Sequence, residues 1–211
     1  MPPDFRLCGL YVITDARLIP RQRFVETVEA ALRGGARMVQ LREKEAPAEE
    51  IIRLGRALLE VTRRYGVPLI VNDRPEIARA IGADGVHVGR DDPPVAEARA
   101  LLGPQAIVGA SCYGELARAL AAEQAGASYV AFSTPFPSPT KAKSTDTSLE
   151  VLREAKRRLR VPVFAIGGIT LANAPQVIAA GADGIAVVSA VFGADDVEAA
   201  ARALAQLFPG A

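Results

Sequence analysis

A single (β/α)8 barrel is the fold this sequence predicts, and three observations predict it. Eight short β-branched apolar runs alternate, from one end to the other, with longer segments of helical spacing. A Gly-Ala dipeptide stands just before every second run. The chain has 211 residues, close to the ~200-residue lower limit for a compact barrel of this kind. No linker or composition shift divides it, so residues 1–211 read as one domain.

The predicted strands are residues 10–14, 37–41, 69–72, 85–88, 107–110, 129–132, 163–166 and 184–188. Strands that alternate with helices imply a parallel sheet. Gly35, Gly82, Gly126 and Gly181 precede the second, fourth, sixth and eighth strands. A glycine there can take the left-handed conformation that ends the preceding helix. The third and seventh strands are instead entered through Val67-Pro68 and Val161-Pro162, where proline fixes an extended approach. A signal that recurs with every second unit is what a closed barrel of paired units would show. An open doubly wound sheet is the alternative, but the first turn, Thr14-Asp15-Ala16-Arg17, lacks the glycine fingerprint of a dinucleotide site.

Composition excludes several classes. Half the residues are hydrophobic and 23% are charged, which rules out a disordered chain and supports a large core. Lys+Arg at 25 against Asp+Glu at 24 leaves a net charge of +1, with no basic run to track a nucleic-acid backbone, so no nucleic-acid partner is expected. The N-terminus has no basic segment followed by an apolar stretch, and no window approaches the ~18 apolar residues of a membrane span. A cytoplasmic protein without a membrane partner is therefore expected. Cys8 and Cys112 have neither disulfide-framework nor zinc spacing, and both read as buried thiols. The residues leave the oligomeric state open, a homo-oligomer included.

In such a barrel the reactive groups belong at the C-terminal ends of the strands, and polar residues gather there. Gln40, Arg42 and Lys44 are spaced by two, so an extended chain sends them to one side while Leu41 and Glu43 go to the other. The third strand ends in Asn72-Asp73, the fourth is followed by Arg90-Asp91-Asp92, and the fifth ends near Ser111. The sixth opens into Ser138-Pro139-Thr140-Lys141, the seventh gives Gly167-Gly168, and the eighth Val188-Ser189. Cations with two carboxylates on adjacent strands suit a polyphosphate and magnesium, which accepts one or two carboxylates beside phosphate oxygens and water. Asp73 would supply one and either Asp91 or Asp92, side by side after the fourth strand, the other. Arg42 can fork onto phosphate, whereas Lys44 and Lys141 are point charges. Only four of the 25 cationic residues are lysine, and two of these fall at predicted strand ends. Gly168 and Ser189 occupy the usual barrel phosphate cradle. Residues 133–148 lack any periodicity and are longer than ~12 residues, which points to a lid. His87, the one histidine, lies inside a strand and reads as an interior imidazole rather than a base.

Eight motifs, in order, resemble the thiamine phosphate synthase (thiamine-phosphate pyrophosphorylase) family over nearly the full length. They are Tyr11-Val12-Ile13-Thr14-Asp15, Gln40-Leu41-Arg42-Glu43-Lys44, Asn72-Asp73-Arg74, Asp84-Gly85-Val86-His87-Val88-Gly89, Gly109-Ala110-Ser111, Phe136-Pro137-Ser138-Pro139-Thr140-Lys141, Ala165-Ile166-Gly167-Gly168-Ile169 and Val188-Ser189-Ala190. The resemblance implies that a pyrimidine diphosphate is joined to a thiazole phosphate, giving thiamine phosphate and pyrophosphate. It implies that the diphosphate leaves first and that the thiazole nitrogen captures the resulting pyrimidine methyl cation, so no enzymic nucleophile is needed. It assigns Gln40, Arg42, Lys44, Asn72, Ser111 and Lys141, with the Leu41 and Glu43 positions of the same motif, to the pyrimidine diphosphate. Of these, Arg42, Lys44, Ser111 and Lys141 would act catalytically. Asp73 and Asp92 would hold magnesium, and Ser138, Pro139, Thr140, Gly168, Val188 and Ser189 the thiazole phosphate.

Two departures stand out. Arg90 replaces a frequent glutamine, and Ser133-Thr134-Pro135 replaces a glycine-containing turn. A related thiazole tautomerase would need histidine where Thr134 stands. A non-catalytic phosphate-sensing barrel would show decay of the metal and diphosphate residues, all of which are intact here.

Overall fold

The structure, a computed structural model, describes residues 7–137 and 147–208. Eight parallel strands close into one barrel in chain order. Strand β1 is Gly9–Ile13, β2 Met38–Leu41, β3 Leu69–Asn72 and β4 Gly85–Val88. These are followed by β5 Ile107–Tyr113, β6 Tyr129–Ser133, β7 Val163–Ile166 and β8 Gly184–Val187. Strands β1 and β8 pair at Leu10–Ile185 and Val12–Val187, which closes the ring. The helices are α1 Phe24–Arg33, α2 Ala48–Tyr65, α3 Pro75–Ile81, α4 Val95–Leu102, α5 Leu116–Gln124, α6 Leu149–Arg158, α7 Ala174–Ala179, α8 Ser189–Phe192 and α9 Val197–Ala205. The four-residue α8 is additional to one helix per strand. No helix among the described residues is long and apolar enough to cross a membrane.

The expected punctuation is present. Gly35, Gly82, Gly126 and Gly181 all have left-handed φ, from 67° to 100°. The residue two places after the glycine adds a staple in three of the four repeats. Asp84 Oδ2 accepts from Leu69 N at 2.8 Å, Ser128 Oγ from Val108 N at 3.1 Å, and Asp183 Oδ2 from Val163 N at 2.8 Å. Strands β4, β6 and β8 thus begin by satisfying a backbone donor at the start of their odd-numbered neighbours, where the ladder has no carbonyl to offer.

Alternation along each strand builds two apolar layers. Outward residues such as Val12, Leu41, Val71, Val86, Val130 and Ile185 pack against the helices. Inward residues Tyr11, Met38, Ile70, Ile107, Tyr129, Phe164 and Ala186 fill the axis. Three aromatic rings meet there edge to face, with centroids 5.1 Å apart for Tyr129–Phe164 and 5.7 Å for Tyr11–Phe164. Glycines on neighbouring strands make the room. A Cβ on Gly109 would lie 2.1 Å from Tyr129 Cζ, and one on Gly184 would lie 2.3 Å from Phe164 Cε1.

Strand boundaries differ from the sequence reading at several places, most at β5. It does not end at Ala110 but continues through Ser111 and Cys112 to Tyr113, with its register against β6 shifting between Ser111 and Tyr113. Tyr113 takes a left-handed φ of 54° there. An irregularity of this kind re-aims a side chain at a barrel rim, and no residue pattern announces it. Cys112 is buried, with its thiol pushed up to about 12 by burial. Cys8 is only half-buried, contrary to expectation, because it lies just outside the first strand.

Candidate active site

A cavity of about 230 Å³ opens at the C-terminal ends of the strands. One wall carries Gln40, Arg42 and Lys44 from the end of β2, and Asn72 and Asp73 from β3. The adjoining wall carries Arg90, Asp91 and Asp92 after β4, with Ser111 and Tyr113 from β5. Gly167, Gly168, Val188 and Ser189 line the opposite side.

The period of two explains the β2 wall. Leu41 is buried in the outer apolar layer, and the Glu43 carboxylate is buried against the Arg21 guanidinium at 2.6 Å. Neither side chain lines the cavity, so Leu41 and Glu43 would meet a ligand only through their backbone. Their part is to anchor the segment from which Arg42 and Lys44 project. The Thr14 hydroxyl, fully buried at the end of β1, accepts from Arg42 N at 2.9 Å. Arg42 Nη1 lies 3.9 Å from Asp15 Oδ2, on the cavity rim. The Arg17 guanidinium beside Asp15 holds that carboxyl below the usual carboxylate range.

Asp73 and Asp92 share one corner. The Asp73 carboxyl is pushed up to about 6, first by burial and then by the Asp92 carboxyl within hydrogen-bonding reach, while Lys44 and Asn72 pull the other way. Lys44 Nζ is 3.7 Å from Asp73 Oδ2, and Gly89 N donates to Asp92 Oδ2 at 2.6 Å. Asp73 itself has a left-handed φ of 61°. It and Tyr113 are the non-glycine residues with positive φ among those described. Both are in the cavity wall, and strained backbone of this kind gathers at working sites.

Two crowded carboxylates form a donor set short of a cation. No group of three or more His, Cys, Asp or Glu side chains with metal-binding geometry occurs among the described residues. Two oxygen donors suit a hard ion that keeps several waters and takes the rest of its shell from phosphate. The residues present therefore fit magnesium.

Arg90 does not stand free beside Asp92. It pairs with Glu115 and lies over the Tyr113 ring at 4.8 Å. Arg118 donates to the Ser111 and Gly89 carbonyls at 2.8 and 3.0 Å and ties β5 to the loop bearing Asp92.

On the opposite side Gly167 and Gly168 have φ of 110° and 57°. A Cβ on Gly168 would lie 2.3 Å from the Pro137 carbonyl oxygen, so only glycine lets the chain after β6 come this close. Thr134, buried, donates its hydroxyl to the Gly167 carbonyl. Ser189 opens α8, whose first N–H groups have no partner within the helix. Ser138, Pro139, Thr140 and Lys141 lie outside the described residues, as does most of the expected lid over 133–148.

The cavity floor was not foreseen. His87 lies in it as an interior imidazole, with Nδ1 2.9 Å from the Tyr129 hydroxyl and Nε2 2.9 Å from Ser111 Oγ. Tyr11, Tyr113 and Asp15 also reach the cavity. The inward alternation of β1 contains the signal for Tyr11, whereas the β5 irregularity hides Tyr113.

Comparison with known proteins agrees with this geometry. The thiamine monophosphate synthase family profile matches residues 10–191. The thiamine-phosphate synthase of Methylococcus capsulatus is 54% identical over 200 residues, covering 95% of this chain and 89% of that protein. That of Nitrosococcus oceani is 49% identical over 201 residues, covering 95% and 93%. The solved thiamine phosphate pyrophosphorylase from Pyrococcus furiosus superposes with a TM-score of 0.87 at 43% identity, covering 95% of each chain. With this match spanning every strand but the first residue of β1, and seven of the eight motifs contributing to the cavity wall, the chain belongs to the thiamine monophosphate synthase family.

Proposed function

We propose that the protein is a transferase that joins 4-amino-2-methyl-5-(diphosphooxymethyl)pyrimidine to 4-methyl-5-(2-phosphoethyl)thiazole, releasing thiamine phosphate and pyrophosphate. The carrying observation is the division of the cavity: cations and paired carboxylates on the β2–β4 side, glycine turns and a helix start on the β7–β8 side. That division fits a diphosphate and a monophosphate facing each other.

Arg42 would fork onto diphosphate oxygens from a backbone pinned by Thr14, and Lys44 would add a point charge beside it. Gln40, Asn72 and Ser111 would hold the pyrimidine portion, and Lys141 would add a further charge to the diphosphate. Gly168, Val188 and Ser189, with Ser138, Pro139 and Thr140, would receive the thiazole phosphate. Asp73 and Asp92 would hold magnesium, which when bound neutralises charge on the diphosphate as it departs. The ring amino group stabilises the pyrimidine methyl cation that remains, and the thiazole nitrogen attacks it. What the chain contributes is charge neutralisation at the leaving group and alignment of two bound reactants. The tautomerase reading needs a proton carrier at position 134. Thr134 is instead buried with its hydroxyl committed to Gly167.

The test is to incubate the purified protein with both phosphorylated substrates, with and without magnesium, and to measure thiamine phosphate. Product that requires the metal is the expected result. Isomerisation of the thiazole alone, or binding without turnover, would overturn the proposal.

A further inference from the structure

A line of hydrogen bonds crosses the barrel beneath the cavity, from β2 to β5. Gln40 Nε2 donates to the Tyr11 hydroxyl at 2.7 Å, which lies 3.0 Å from the Tyr129 hydroxyl. The Tyr129 hydroxyl is 2.9 Å from His87 Nδ1, and His87 Nε2 is 2.9 Å from Ser111 Oγ. Its two ends, Gln40 and Ser111, line the cavity, whereas Tyr129 is fully buried between them.

Counting donors fixes the direction of the line. The Tyr11 oxygen accepts the Gln40 amide, so its own proton has Tyr129 as acceptor. Tyr129 in turn has His87 Nδ1 for its proton, which requires that nitrogen to be bare. The imidazole proton is then on Nε2 and points at Ser111 Oγ, leaving the Ser111 proton to turn toward the cavity. The reverse direction strands the Tyr11 proton in a fully buried place without an acceptor, the expensive case for a polar group. Burial pushes both phenols well above the ordinary tyrosine range, so both keep their protons. Gly109 is the space that admits the Tyr129 ring to the line.

We infer that Tyr11, Tyr129 and His87 form a relay of fixed polarity that presents the Ser111 hydroxyl to the bound substrate as a hydrogen-bond donor. The three are positioning residues, and His87 works as a neutral spacer rather than a general base. That the acceptor is the pyrimidine diphosphate rests on the synthase reading; the tautomer of His87 does not.

The protein has one histidine, so a long-range proton–nitrogen NMR spectrum of the ¹⁵N-labelled full chain at neutral pH reads this ring alone. The expected spectrum shows a protonated Nε2 and a bare Nδ1. A proton on Nδ1, alone or together with one on Nε2, overturns the inference. Tyr129→Phe removes the donor to Nδ1 and should disturb this tautomer. It should also lower kcat/KM for the pyrimidine diphosphate by about tenfold, the worth of one hydrogen bond, while KM for the thiazole phosphate stays put. An unchanged spectrum and turnover would sink the relay. Should that variant fold poorly, Tyr11→Phe decides: Tyr129 can still donate to His87, so the wild-type tautomer should persist, and its loss would count against the assigned direction. A wrong reaction assignment leaves the spectrum as expected, and a wrong relay leaves condensation observable, so the two failures are separable.

Discussion

The Tyr129 ring occupies the space that a side chain at position 109 would need, with its Cζ 2.1 Å from where a Cβ on Gly109 would stand. The ring has Phe164 and Tyr11 against it and cannot retreat. Gly109→Ala should therefore cost at least the ~1–3 kcal/mol typical of overpacking a core and lower turnover by moving His87 and Ser111. Urea unfolding beside kcat checks this, and a variant of wild-type stability would show that the barrel axis is looser than described.

Asp73 sets the pH behaviour of the metal corner. Its folded value of about 6 lies above the ordinary 3.8, so without metal the folded state binds more protons than the unfolded chain between those limits. This group's contribution to stability is therefore lost as pH rises through about 6. A bound cation reverses the preference by favouring the charged form. Magnesium should raise the melting temperature more at pH 7.5 than at pH 5, and Asp92→Asn should remove most of that rise. Equal shifts at both pH values would contradict the assignment.

Lys141→Ala should reduce turnover by ~10²- to 10³-fold, the cost of removing one charge-stabilising contact in comparable sites. The fold should be unaffected, as circular dichroism and thermal melting would show. An unchanged turnover number would separate the 133–148 segment from the chemistry.

Asp84→Ala removes the acceptor of Leu69 N at the start of β3. An unsatisfied donor in a barrel floor costs ~1–3 kcal/mol, so the denaturant midpoint should fall while KM for both substrates holds. Asp84→Asn, which keeps an oxygen, should recover part of the loss.

Much of the barrel was legible because each strand is short, β-branched and bounded by glycine or proline. The same period of two placed Gln40, Arg42 and Lys44 together, since their spacing alone decides which way they face. It also sent Leu41 and Glu43 outward, which the motif resemblance by itself did not distinguish. Tyr113 was not readable, because its direction depends on a register shift against β6 that leaves no pattern in β5. The floor was missed for another reason: Tyr11, His87 and Tyr129 are far apart in sequence, and each on its own looks like ordinary core.

The staples at Asp84, Ser128 and Asp183 bind β3 to β4, β5 to β6 and β7 to β8. Viewed as a building plan, this makes two-strand modules the natural units of the architecture. New termini cut between modules in a circular permutant would keep every such clasp within a continuous stretch of chain, whereas an opening inside a module would leave one clasp to form across the break.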